Sequence, residues 1–240
     1  MYRESLNGTR YDPKTVRRTK TVFTLPLKLK EPSKIFTSSL TDFFHEAIDE
    51  YRDEAWAIIK KCPQHTFQIL TKRPERIMGH LPKDWNDEPY KNVLFGTSIG
   101  SQDAIQRVRD LITLSLRTPA RIFLSVEPMY GPVDLTPYYF RGRGFDHLPS
   151  KSRTEMVELV DWVIVGGESG NENGKYKYRP CELEWIESIV MQCKKAKVPV
   201  FVKQFGTHLS KKMGMKDRHG GDIAEWPVHL QIREFPKQRI

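Results

Sequence analysis

Six short apolar runs recur along the chain, and each stops at a polar or charged residue: IFTSS (35–39), FQILTKR (67–73), VLFGTS (93–98), IFLSVE (122–127), WVIVGGES (162–169) and VFVKQ (200–204). Parallel strands covered on both faces read as such near-continuous Val, Ile, Leu and Phe stretches. Between the runs the period becomes helical. Tyr51, Ala55, Ile58, Ile59 and Cys62 fall three and four apart, as do Ile105, Val108, Leu111 and Ile112, which predicts two amphipathic helices. A third is expected from Glu182 to Lys197, on the stripe Leu183, Ile186, Ile189, Val190, Cys193 and Ala196. Pro180 stands near its start and lysines at its end, where the helix dipole favours positive charge. A shorter helix is expected from Pro74, directly after LTKR.

Strand then helix, repeated, gives βα units with a parallel sheet and right-handed crossovers. Periodicity alone fits an open doubly wound sheet as well as a curled one. The fold class adopted is α/β, a partial (β/α) barrel of six parallel strands, the form in which chemistry collects where the strands end. The 240 residues fit one α/β domain spanning 1–240, with an irregular N-terminal segment over 1–34 and a C-terminal extension over 207–240. A further irregular stretch, 136–158, carries Tyr138, Tyr139, Arg141, Gly142, Arg143 and Gly144. It is too long and glycine-rich for a simple connector, and reads either as a lid or as an insertion of no consequence.

Composition narrows the class. An apolar content of 38 % with 12 Phe and 5 Trp is enough for a core, and 29 % charged residues speak against disorder. No run approaches the length of a membrane span, and Met1 opens a polar segment, so no membrane association and a cytoplasmic location are expected. Cys62, Cys181 and Cys193 are scattered and odd in number, which gives neither a disulfide framework nor a CxxC metal site, and they read as packing residues. No histidine pair has the spacing of a zinc site, and His45, His65 and His208 lie near strand ends or loops. The net charge of +9 permits attraction to polyanions. Its lysines and arginines come in groups: Arg17, Arg18 and Lys20; Lys28, Lys30 and Lys34; Lys194, Lys195 and Lys197; Lys211, Lys212 and Lys216. These form either a solvated surface or a nucleic-acid face, and no aromatic-interleaved motif accompanies them.

Side chains alternate along a strand, so Ile122, Leu124 and Val126 share one face and Phe123, Ser125 and Glu127 the other. The aliphatic face is the one helices would cover, which turns Ser125 and Glu127 inward, with Glu127 nearest the mouth. By the same count Trp162, Ile164, Gly166 and Glu168 share a face, so two carboxylates, Glu127 and Glu168, are expected to line one cavity. Opposite them stand Lys72, Arg73 and Lys203, and a ring of such charges either pairs with itself or binds a ligand. Ser39 and Asp42 at the first strand end and Ser98 at the third add hydrogen-bonding groups, with Asp42 equally suited to capping a helix. GGESGNENG (166–174) has the glycine content of a phosphate-cradling loop without the GK[ST] ending, and its glycines also suit a close approach of backbone or ligand.

In order, IFTSSLTDFFHE, HTFQILTKRPERI, NVLFGTSI, FLSVEPMYGPVDL, VDWVIVGGESG and VPVFVKQFGT resemble the phage-associated, uncharacterised three-Cys-motif family, and the closing GGDIAEWPVHLQIREFP is similar to one branch of it. That resemblance implies a radical-SAM-like fold. For a full-length member it also implies S-adenosylmethionine and a [4Fe–4S] cluster held by three closely spaced N-terminal cysteines. In the similar branch the last cysteine precedes Tyr-Met-Tyr-Arg-Glu, and this chain opens Met1, Tyr2, Arg3, Glu4. Either translation was assigned from an internal methionine or the member is naturally short; the chain as it stands is expected to hold no cluster, no metal and no other cofactor. Around S-adenosylmethionine or substrate the resemblance implies Lys72, Arg73, Glu127, Gly166, Gly167, Glu168, Ser169, Lys203 and Gln204. Two further readings stand beside it: a non-catalytic module binding nucleic acid or another polyanion, and a cluster-independent hydrolase using Glu127 and Glu168 as acid and base.

Overall fold

A computed structural model describes residues 18–19, 22–38, 41–87, 90–137, 154–174 and 177–237. Every expected apolar run forms a strand: β1 (Lys34–Thr37), β2 (Thr66–Thr71), β3 (Val93–Ser98), β4 (Arg121–Met129), β5 (Trp162–Gly167) and β6 (Val200–Gln204). They pair in sequence order, each parallel to the next. The sheet curls into a half-barrel, as the partial-barrel reading expected.

The helices follow the apolar stripes. α1 (Asp49–Lys60) joins β1 to β2, α2 (Ile105–Arg117) joins β3 to β4, and α3 (Leu183–Ala196) joins β5 to β6. The helix expected at Pro74 is instead two 3₁₀ turns, Pro74–Arg76 and Met78–His80. Gly79 and Pro82 leave too few good helix formers in succession for an α-helix to propagate. A short α4 (Gly206–Lys212), which no apolar stripe announced, follows β6.

Two apolar layers result from strand alternation. Ile122, Leu124 and Val126 are fully buried in the large core between sheet and helices, with Val108, Leu111, Ile112, Ile186 and Ile189 from the helix side. The other face packs separately: Leu94, Phe123 and Trp162 are buried together, with Leu70, Ile164 and Phe201 half-buried against them. That inner layer lines the hollow of the half-barrel, as the alternation of β4 predicted. Gly96 makes room for it, because a Cβ there would lie 2.2 Å from Cζ of Phe123.

The tail closes one end. Val202 N–H donates to Ile232 O at 2.9 Å and Glu234 N–H to Val200 O at 3.0 Å, so residues 232–234 run antiparallel along β6. Phe235 then turns under the sheet, 5.5 Å from the Trp162 ring and 5.3 Å from that of Phe201, with Lys34 Nζ 3.3 Å above it. Trp162 Nε1–H donates to Glu234 O at 2.9 Å and Arg121 to Lys237 O at 2.8 Å. The hollow thereby gains a floor at the amino ends of the strands, while its carboxyl end holds the polar residues. The 138–153 stretch, including the proposed lid residues, lies outside the described residues, as do Arg17, Lys20 and Ser39.

Candidate ligand-binding site

The carboxyl ends of the strands carry two separate polar groups. The first belongs to β1 and β2. Asp42 accepts from Phe44 N–H at 3.0 Å, Thr71 Oγ1–H at 2.6 Å, Lys72 N–H at 2.9 Å and Arg73 at 3.2 Å. Burial alone would raise the Asp42 carboxyl, but the bonds from Thr71, Lys72 and Phe44 and the charge of Arg73 outweigh it and hold its pKa below the ordinary 3.8. Asp42 and Arg73 are thus spent on tying the loop after β1 to the end of β2. The Lys72 side chain is exposed and makes no ion pair among the described residues.

Because the Asp42 pKa is depressed on folding, its stabilisation is present above pH 3.8 and lost as pH falls through the lower folded value. Asp42→Asn is expected to cost about 2 kcal/mol at pH 7, the range for hydrogen bonds to a charged group. Urea unfolding at stepped pH checks this: the gap to wild type should close on acidification, and a gap constant from pH 7 to pH 2.5 would contradict an ionised Asp42.

The second group spans β4, β5 and β6. Lys203 Nζ donates to Glu127 Oε1 at 2.7 Å, with the carboxylate largely covered and the ammonium half exposed. The pair bridges two strands that are not neighbours, passing over β5 at Gly166. A Cβ on Gly166 would come within 3.4 Å of Glu127 Oε2 and 2.8 Å of Gln204 O, so the missing side chain leaves the crossing open. Gly167 answers a backbone approach, since its Cβ would fall 2.1 Å from Phe205 O. Gln204 Nε2–H binds Gly167 O at 3.1 Å and Ser169 Oγ at 2.8 Å, fastening the turn after β5 to β6.

Glu168 lies in the same turn but faces another partner. Arg179 donates to it from its backbone N–H at 2.9 Å and from Nε and Nη2 at 2.7 and 3.0 Å. The guanidinium also lies 4.0 Å over the Tyr130 ring, which rests on Gly100. Partial burial pushes the Glu168 carboxyl up, yet the bonds and charge of Arg179 hold it below its ordinary value. Glu127 and Glu168 therefore stand at the same end of the sheet with separate cations.

Between these groups lies the upper inner layer. Ser98, Ser125, Ile164 and Phe201 follow one another across β3 to β6 in register. Ser98, Ile164 and Phe201 are only partly covered, and Leu70 is the neighbouring half-buried apolar residue on β2. Ile164 and Phe201 were legible from strand alternation but not singled out. Tyr130 and Arg179 could not be read, since each meets its partner through loops. The three histidines near strand ends and loops, His45, His65 and His208, make local structural contacts. His45 Nδ1 accepts from Ala47 N–H, buried His65 bridges Ser33 N–H and Pro26 O, and His208 contacts the Cys181 backbone.

A family model described as a protein of unknown function, DUF5131, matches residues 2–229. The chain belongs to the DUF5131 family. No match was found among curated proteins or among solved structures. DUF5131 membership thus covers nearly the whole chain, in keeping with an uncharacterised family, and carries no chemistry of its own. Within this DUF5131 chain no described helix is long and apolar enough to cross a membrane.

The thiols do not suit a cluster. Cys181 and Cys193 stand at opposite ends of α3 and Cys62 follows α1, all three buried. Burial, with Glu182 near one and Glu234 near the other, pushes Cys181 and Cys193 up to about 12, far from the thiolate that iron requires. Among the described residues no group of three His, Cys, Asp or Glu side chains is arranged for a metal.

Proposed function

We propose that the open end of the half-barrel is a binding cup for a small zwitterion with an apolar or heteroaromatic body, and that S-adenosylmethionine is its ligand in a radical-SAM-like protein of phage type. The observation that carries this reading is the Glu127–Lys203 pair, set over Gly166 beside the partly open Ile164, Phe201 and Leu70. A ligand α-carboxylate can exchange onto Lys203 or the free ammonium of Lys72, and its α-ammonium onto Glu127, so that charge is exchanged rather than stranded. The adenine has the aliphatic and aromatic inner layer to lie against. Bound, S-adenosylmethionine would supply a sulfonium with activated C–S bonds. The described thiols do not fit the cluster that reductive cleavage needs, so these residues account for binding and orientation alone.

A Glu127/Glu168 hydrolase would need one carboxyl held protonated near neutral pH. Arg179 holds Glu168 in the opposite direction, which favours the binding reading.

Isothermal titration with S-adenosylmethionine tests it. Saturable binding is expected, weakened by about 10- to 100-fold in Lys203→Met and in Glu127→Gln, the range of a lost charge-assisted hydrogen bond. No saturable heat at millimolar ligand would end the proposal, and so would wild-type affinity in both variants.

A further inference from the structure

At the amino ends of the strands, away from the cup, lies a cavity of about 400 Å³. Its walls are Lys194 and Lys197 from the end of α3, Val198 and Pro199 from the turn into β6, and Phe235 and Lys237 from the tail. Glu234 also borders it, with its carboxylate accepting from Val200 N–H at 3.1 Å. Lys34 adds a fourth ammonium from β1, over the Phe235 ring. Among the described residues none of these four lysines has an ion pair, whereas neighbouring Lys195 holds Glu155 at 2.8 Å. The carboxyl end of α3 offsets only part of this charge, because a helix terminus is equivalent to about half a unit.

Two features go beyond a solvated basic surface. Phe235 lines the cavity together with Lys194, Lys197 and Lys237 and is 44 % exposed, although it is also a floor residue of the half-barrel. Lys197 adopts φ 57°, ψ 33°, the left-handed conformation in which a helix ordinarily ends on glycine. A side chain held there carries strain of about 1 kcal/mol or more. The fold bears that cost, and Lys197 lines the cavity from this position.

We propose that this basal face binds single-stranded nucleic acid, with successive phosphates on Lys194, Lys197 and Lys237 and a base against the exposed part of Phe235. Unpaired ammonium groups around an aromatic ring are the pattern by which single strands are held without sequence preference, phosphates by charge and bases by ring contact. A recess of about 400 Å³ has room for a base beside Phe235, while the backbone of a strand runs across its open side. The net charge of +9 draws a polyanion in from a distance. This proposal is independent of the cup, and it gives the nucleic-acid reading of the basic groups a particular place and an aromatic partner, because Lys34, Lys194, Phe235 and Lys237 converge only in the folded chain.

Fluorescence anisotropy with a labelled 20-nucleotide oligothymidylate, titrated with the whole chain between 50 and 200 mM salt, provides the test. Affinity should fall steeply as salt rises. Lys194→Glu/Lys197→Glu/Lys237→Glu should weaken binding at least tenfold and reduce the slope of log affinity against log salt by about two, at about 0.7 per cation. Phe235→Leu, which keeps an apolar floor, should weaken binding about fivefold or more. A charge-matched control, Lys83→Glu/Lys177→Glu/Lys216→Glu, alters exposed lysines outside the cavity and should stay within about threefold of wild type. Circular dichroism melts establish that each variant is folded. Absence of binding at 50 mM salt, or equal weakening in both triple variants, would overturn the proposal. So would unchanged affinity in Phe235→Leu with inorganic polyphosphate competing as well as the oligonucleotide, which would leave a general polyanion surface instead.

Discussion

Phe123→Ala is expected to lower stability by about 3–5 kcal/mol, the cost of emptying a fully packed aromatic site. In a chain of this length that corresponds to a fall of about 10 °C in the melting midpoint, measurable by calorimetry. The reason is the position of the ring. Phe123 is fully buried on the inner face, packed on Trp162 at 5.6 Å between centroids and lying on Gly96, so nothing can collapse into its place without moving β3. Gly96→Ala should destabilise by about 1–3 kcal/mol through the opposite fault, an added methyl where the ring already stands. The two faults compensate: in the Phe123→Ala background the alanine at 96 should cost much less, giving a coupling of at least about 1 kcal/mol in a double-mutant cycle. Additive effects would mean that the inner layer is not the tight second core described here.

Gly167→Ala is expected to be nearly as damaging, by about 3 kcal/mol, and to abolish ligand binding at the cup. Its Cβ would meet the Phe205 carbonyl oxygen at 2.1 Å and the Phe205 carbonyl carbon at 2.8 Å, and backbone cannot swing aside as a side chain can. The opposing Gly206 has φ +80° and would drive its own Cβ to 2.6 Å from the Gly167 carbonyl carbon, so the crossing needs glycine on both chains. Separating them breaks Thr207 N–H to Glu168 O at 2.9 Å and the Gln204 bonds to Gly167 and Ser169. The turn that carries Glu168 and the strand that carries Lys203 then lose their common frame. Urea unfolding and titration with S-adenosylmethionine read the two effects. A variant with wild-type stability would show that the crossing relaxes at little cost.

Strand positions were readable because each strand is an apolar run stopped by a polar residue, and the alternation in IFLSVE assigned Ile122, Leu124 and Val126 to the helix side and Phe123 to the hollow. The same rule turned Glu127 inward, where Lys203 meets it. What resisted reading depends on loops. Asp42 was open between ligand and cap, and the deciding fact is that four donors, three of them from the end of β2, converge on it. Glu168 looked like a companion of Glu127, but Arg179 takes it after an eleven-residue excursion that no spacing rule predicts. The glycines of GGES were equally suited to ligand or backbone, and Phe205 and Gly206 supply the backbone. α4 is only seven residues long, too short to develop an amphipathic stripe. The tail shows no period because it leans on a single sheet edge and contributes isolated rings, Trp226 stacked on Phe205 and Phe235 beneath the hollow.

That last arrangement also decides how the molecule can meet copies of itself. A parallel half-barrel leaves two flanking strands with unused hydrogen-bonding groups, each a template for a foreign strand. Residues 232–234 occupy the flank of β6, so growth of the sheet is blocked on that side. Closing the flank and the floor requires residues thirty or more positions apart to meet, and the ring of Phe235 must reach Lys34 near the opposite end of the chain. Such distant pairings form late. During synthesis the β6 flank is therefore bare until the region near residue 235 has emerged, and in that interval the nascent protein is most exposed to strand-to-strand association.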